Sequence, residues 1–208
     1  MDVSNGDSAW EANETRVELI EATRTAMCKH GFADLTMQAI ADESEKSKAA
    51  LHYHFDTKAE LLAETLAYLL AEFLSEVDIG ESGDPEERLR RLAEAQLFGA
   101  NGRDGDSSGH WRFHTALLEV QSHAPHEPAF EAQFTSNFEH IQALFTDIIE
   151  DGIDQGVFRE VDAEQTAAHL MATIKGARVY QVSTERDDIA ETVHDSVIDR
   201  IIDPLLVE

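Results

Sequence analysis

Apolar residues recur at three- and four-residue intervals along nearly the whole chain, and alternating β-branched runs are rare. That pattern predicts an all-α fold, its helices broken mainly by Gly and polar caps. The first helix runs from about Glu14 to His30, with Val17, Ile20, Thr23, Ala26 and Met27 facing inward and Gly31 as its stop. Thr36 caps a short helix, Met37–Glu43, and Ser47 caps a second, Lys48–His54. Thr57-Lys-Ala-Glu60 is a capping box that opens a long helix from Lys58 to about Val77. A Gly- and acid-rich break, "DIGESGDP", follows. Asp84-Pro85-Glu86-Glu87 then starts a helix that ends near Phe98.

Beyond the loop "GANGRDGDSSG", the pattern predicts a helix from about His110 to His123, ended by "HAPHEP". A long helix, Glu127–Gln155, carries Phe130, Phe134, Phe138, Ile141, Phe145, Ile148 and Ile149, and Gly156 ends it. Asp162-x-x-Gln165 opens its neighbour, Ala163–Ser183, where Ala167, Ala168, Ala172, Gly176 and Ala177 allow close approach. A last helix covers about Asp188 to Ile202. Phe-rich and Ala/Gly-rich faces pack as large against small.

Composition narrows the functional classes. Of 208 residues 42% are hydrophobic, enough for a core and against an acidic disordered tail. No apolar run approaches the roughly 18 residues of a membrane span, and the acidic start "MDVSNGDSAWEAN" lacks the core of a secretion signal. A lone Cys28 on an apolar helix pattern reads as a buried thiol and excludes an internal disulfide. These features point to the cytoplasm. The chain has no Gly-rich phosphate loop and no nucleophile–base spacing, so an enzyme is not expected and no cofactor is implied.

Charge is uneven. The formal net charge is −26, and the acidic, lysine-poor composition resembles that of halophilic proteins. Four of the five lysines nevertheless lie between Lys29 and Lys58, against five acids, whereas from Ala59 onward 31 acids face 10 bases. The lysine window coincides with two short helices joined at Ser44–Ser47, the layout of a helix-turn-helix. Ser47 offers a hydroxyl at the start of the second of these, and Lys48 and Lys58 supply counter-charge for phosphate.

The segment "GFADLTMQAIADESEKSKAALHYHFDTKAELL" resembles the DNA-binding domain of TetR-type transcriptional regulators. Gly31, Phe32, Thr36, Ile40, Ala41, Ser47, Leu51, His54, Phe55, Lys58, Leu61 and Leu62 match its pattern in order and spacing. The resemblance implies phosphate contacts by Thr36, His52 and Lys58, and places Gln38, Lys48, Ala49 and Tyr53 toward base edges. Ser44-Glu45-Lys46 departs from it: a Gly there suits a left-handed turn, and Glu costs about 1 kcal/mol in that conformation. Lys46 also replaces an apolar residue beneath the recognition helix, and His52 a tyrosine.

The resemblance further implies a larger C-terminal helical bundle that dimerises and takes a small-molecule effector, and "WRFHTALLEVQSHAPHEPAFEAQFTSNFEHIQALFTDIIEDGIDQGVF" is similar to its BetI-like branch. The expected layout is a tail over 1–13, a three-helix helix-turn-helix domain over 14–57, and a ligand-binding and dimerisation bundle over 58–208. Phe138, Ile141, Phe145, Ile148, Ala168, Ala172 and Gly176 are the expected homodimer interface. Candidate pocket residues are Leu66, Phe73, Phe98, Trp111, His114, Leu118, Phe134 and Met171, for most of which core packing is the simpler reading. His110 and His114, one turn apart, have a spacing that can hold Zn or Ni, but with no Cys or Glu in register they read as exposed histidines near a helix end, and no metal is expected. The leading expectation is a ligand-responsive regulator, most simply a repressor, that binds a palindromic double-stranded DNA operator as a homodimer. The competing one is an acidic helical adaptor of the same fold without specific DNA binding.

Overall fold

A computed structural model describes residues 4–77, 83–104, 107–184 and 186–207. The predicted break over 78–82 lies outside the described residues. Nine α-helices succeed one another among them: α1 Ser4–His30, α2 Met37–Ala41, α3 Lys48–His54, α4 Lys58–Glu76, α5 Pro85–Phe98, α6 Ser107–His123, α7 Pro128–Asp154, α8 Ala163–Ser183 and α9 Ile189–Val197. Two helices begin earlier than their apolar pattern indicates, α1 at Ser4 and α6 at Ser107. No helix of the described residues is long and apolar enough to cross a membrane.

The caps form as their chemistry requires. Thr36 accepts from Ala39 N, Ser47 from Ala50 N and Asp162 from Gln165 N, each satisfying an otherwise orphaned helix donor. In the box at Thr57, the hydroxyl accepts from Glu60 N, and Glu60 reaches back to Asp56 N.

The chain divides into two compact units, Met1–Leu70 with Ala116–Phe134, and Ala71–Thr115 with Thr135–Glu208. In the first, Leu19, Ile20 and Met27 of α1 pack with Leu35, Ile40, Leu51, Phe55, Leu61 and Leu66, closed by Val120 of α6 and Phe130 of α7. Thr23 is fully buried, and its hydroxyl is satisfied by donation to Leu19 O at 2.7 Å. Cys28, expected inside, is half-buried, because it lies beside rather than on the inward stripe.

In the second unit, Leu89, Leu92 and Leu97 of α5, Phe145 and Ile149 of α7, Leu170 and Ile174 of α8 and Val197 of α9 form the core. Gly152 is required there by space. A Cβ at that position would lie 2.0 Å from the Phe158 ring, which folds back under α7. Ile141, Phe145 and Ile148 are buried within this one chain.

Candidate nucleic-acid interface

α2, the turn and α3 form the helix-turn-helix. The turn takes no left-handed residue: among the described residues every positive φ belongs to glycine. The strain expected at Glu45 is therefore absent. An α1 carboxylate organises the turn instead, since Glu18 accepts from Glu45 N at 3.3 Å and pairs with Lys46 at 3.1 Å. Ser44 Oγ accepts from Lys46 N at 3.1 Å. Lys46 thus replaces an apolar contact with an ion pair to α1.

The lysine window divides in the same way. Lys29 pairs with Glu43 at 2.5 Å. Lys58, expected to meet phosphate, is half-buried, donates to Leu35 O at 2.9 Å and lies 4.6 Å from the centroid of the Phe32 ring. Burial lowers its pKa. Its ammonium braces the segment between α1 and α2. Arg16 pairs with Glu64, stacks over Phe55 at 4.6 Å, and so ties α1 to the end of α3 and to α4. Of the arginines and lysines described in this unit, only Lys48 has no carboxylate, carbonyl or ring partner. It is exposed in the first turn of α3.

Around it are Ser47, Ala49, His52 and Tyr53, all exposed, Tyr53 at 85%. Thr36 and Gln38 are exposed on α2 and its cap, with the Gln38 amide donating to Asp42 at 2.8 Å. These residues share an open surface whose helix N-terminus carries one free ammonium. That arrangement suits a polyanion approached end-on by α3.

A second feature of this unit lies behind that surface. Glu119 of α6 accepts from Phe32 N at 2.5 Å, and the Phe32 ring meets His123 at 4.4 Å and Phe130 at 6.0 Å. Gly31, at φ +69°, passes so close that a Cβ would come within 2.8 Å of the Glu119 carboxylate.

The candidate pocket residues do not fall in one unit. Leu66, Leu118 and Phe134 belong to the first, where Leu66 and Phe134 join its core, and Phe73, Phe98, Trp111, His114 and Met171 belong to the second. Phe98 lies against His194 and under Arg103. His110 and His114 are half-buried rather than exposed, because α6 starts earlier and places them along its length; their rings are 4.4 Å apart. His110 Nε2 donates to Leu97 O at 2.9 Å. Burial and the nearby Arg178 charge lower the His110 pKa, and burial, Arg178 and His110 hold His114 well below its ordinary value. No group of three His, Cys, Asp or Glu able to hold a metal occurs among the described residues. Phe138, Ala168 and Ala172 are exposed and Gly176 is half-buried, a stripe continued by exposed Val179 and Tyr180.

Residues 19–65 match the profile of bacterial regulatory proteins of the tetR family, and residues 85–207 that of the BetI-type transcriptional repressor C-terminal domain. The chain belongs to the TetR family. A solved TetR transcription regulator from Haloarcula marismortui ATCC 43049 is 38% identical, covering 94% of this chain and 100% of its own, with a TM-score of 0.83. A putative transcriptional regulator from Saccharomonospora viridis, solved in complex with choline, is 26% identical over 91% of this chain and 98% of its own, with a TM-score of 0.75. The HTH-type transcriptional regulator TtgR of Pseudomonas putida is 41% identical over 56 residues, 27% of either chain. The match to such curated relatives thus spans about a quarter of their length.

TetR-family proteins are DNA-binding transcriptional regulators, and within this member two residues escaped sequence reasoning. Arg178 follows Ile174 by four and Met171 by seven, which sets a cation on the interior register of α8. That register was legible in the sequence. Glu119 was not: its partner Phe32 is 87 residues away.

Proposed function

We propose that this TetR-family protein is a ligand-responsive repressor that binds a palindromic operator as a homodimer and leaves it when a small molecule occupies the C-terminal bundle. The observation that carries this reading is the exposed N-terminal turn of α3, with Lys48 unpaired beside Ser47, His52 and Tyr53. In the major groove, Lys48 donates to guanine or to phosphate, and Gln38 is positioned for adenine once its amide leaves Asp42. Thr36 and His52 lie beside phosphates.

The dimer reading rests on the apolar stripe of Phe138, Ala168, Ala172, Gly176, Val179 and Tyr180 on α7 and α8. Small residues along it let a second copy approach closely. Ile141, Phe145 and Ile148 support the stripe from inside. A two-fold pair sets two α3 helices against successive major grooves, which is why the operator is expected to be palindromic. Effector binding shifts α4, and with it the separation of the two heads, by as much as the ligand's affinity differs between the two spacings.

The test is selection of binding sites from random duplexes followed by titration of the selected site. Specific binding to an inverted repeat, lost in Lys48→Ala at unchanged fold, supports the reading. Equal affinity for selected and scrambled duplexes would favour an adaptor without specific DNA binding.

A further inference from the structure

The backbone donors of the turn between α2 and α3 are of two kinds. Glu43 N and Ser44 N bond to the carbonyls of Ile40 and Ala41, at 3.1 and 3.2 Å. Glu45 N and Lys46 N are held by side chains instead, at 3.3 Å by the Glu18 carboxylate of α1 and at 3.1 Å by the Ser44 hydroxyl. Glu18 uses both of its oxygens: Oε1 receives Glu45 N, and Oε2 pairs with the Lys46 ammonium at 3.1 Å. One carboxylate of α1 thus spans two successive residues of the turn.

The helix that follows makes this bridge matter for docking. α3 is seven residues long and sits in the core through Leu51, with Phe55 directly behind its C-terminal end. Its first turn brings Lys48 and Ala49, both exposed, and a half-buried Ala50. With no large apolar side chain in that turn, the direction in which it points is set by the chain entering it. A residue that fixes the turn therefore fixes where Ser47 and Lys48 meet a duplex. Glu18 also decides what Lys46 does. Lys46 stands two residues before Lys48, and its ammonium, once released, attracts phosphate whatever the base sequence. The Lys46 and Glu18 side chains keep 36% and 37% of their exposure, so the pair adds little to stability, and its consequence falls on binding.

We infer that Glu18 is a positioning residue for operator recognition: from α1, without touching DNA, it holds the α2–α3 turn so that α3 docks in one orientation, and it keeps Lys46 from sequence-independent contact with phosphate. The inference rests on the reading of α3 as the helix that reads the operator. Unrelated duplexes gain from the ammonium that loss of Glu18 releases. The selected site gains the same charge but loses the fixed entry of α3, so the ratio of the two affinities falls.

The experiment measures, at fixed KCl, the affinity of the full-length protein for the selected inverted repeat and for a scrambled duplex. Wild type, Glu18→Gln and Glu18→Ala are compared, with a thermal melt of each. Both variants should melt near wild type, and the ratio of the two affinities should fall by about three- to ten-fold. Titration against KCl should give Glu18→Gln a slope steeper by about one per head. Adding Lys46→Met should return that slope to the wild-type value, because the released cation is gone. An unchanged ratio in both variants would overturn the inference. So would an equal loss on both duplexes with a lower Tm, the mark of a structural role alone, or a steeper slope that survives Lys46→Met. Failure of the wild type itself to discriminate the two duplexes would refute the operator reading, and with it the inference built on it.

Discussion

Lys48→Ala and Lys58→Ala separate two uses of one residue type in the head. Lys58 holds Leu35 O and the Phe32 ring, so its loss removes a hydrogen bond and a cation–π contact. Together these are worth about 1–2 kcal/mol, and thermal melts of Lys58→Ala should show that loss with specific contacts in the remaining operator complex preserved. Lys48 is exposed and has no hydrogen bond, ion pair or ring contact among the described residues, so Lys48→Ala should melt like wild type and weaken operator binding by about 1–3 kcal/mol per half-site. His114 is a third residue whose environment predicts a measurement. Its pKa is depressed in the fold, so below about 6.5 the unfolded chain takes up a proton that the folded chain refuses. Stability present above that pH is lost as pH falls toward the folded value, and His110 acts in the same direction. Melts between pH 7.5 and 5 should show His114→Gln gaining on wild type as pH falls. Parallel curves would remove the histidine from the account.

At the scale of elements, the C-terminal half of α6 is fastened to the turn after α1 through Glu119. Its carboxylate receives Phe32 N where Gly31 adopts a left-handed conformation, and the Phe32 ring is enclosed by His123 and Phe130. Glu119→Ala leaves that backbone donor without its partner and should cost about 1–3 kcal/mol. Gly31→Ala should cost about 1–2 kcal/mol in backbone strain, and more because its Cβ meets the carboxylate. The double variant should therefore lose less than the sum of the two, measurable as a coupling in chemical denaturation. The same region marks how far the sequence could be read. Thr36, Ser47 and Asp162 were legible as caps because a cap acts over three residues. Helix order and the α2–turn–α3 layout followed from local spacing, whereas the outward-facing residues of α3 were implied by the family resemblance. Contacts made across long separations did not: Lys58 turns inward because Leu35 O is there to receive it, and Glu45 escapes strain because Glu18 of α1 supports the turn. The lysine window signalled a special segment, but most of its charge serves the fold.

For the whole molecule, the distribution of paired and unpaired cations sets how an acidic protein meets an acidic polymer. Duplex DNA binding normally weakens with salt because each neutralised phosphate releases a counterion, giving a slope of about −0.9 per contact in log affinity against log salt. In each head Arg16, Arg24, Lys29, Lys46 and Lys58 are already engaged within the chain, leaving Lys48 as the described lysine or arginine free to neutralise a phosphate. Residues 1–13 contain no lysine or arginine to add to it. Two heads then release about two counterions, a slope near −2, far shallower than for a reader with many basic contacts. The rest of the −26 charge repels DNA, and added salt screens that repulsion as well, the Debye length falling from about 10 Å at 0.1 M to 3 Å at 1 M. Both effects favour binding that persists at molar salt. Operator titrations from 0.1 to 1 M KCl should give a slope no steeper than about −2, and Lys48→Ala should bring it close to zero or make it positive. A slope steeper than about −5 would require several further phosphate-binding cations per head. It would show that the lysines now paired to Glu18, Glu43 and Leu35 are released when the protein docks.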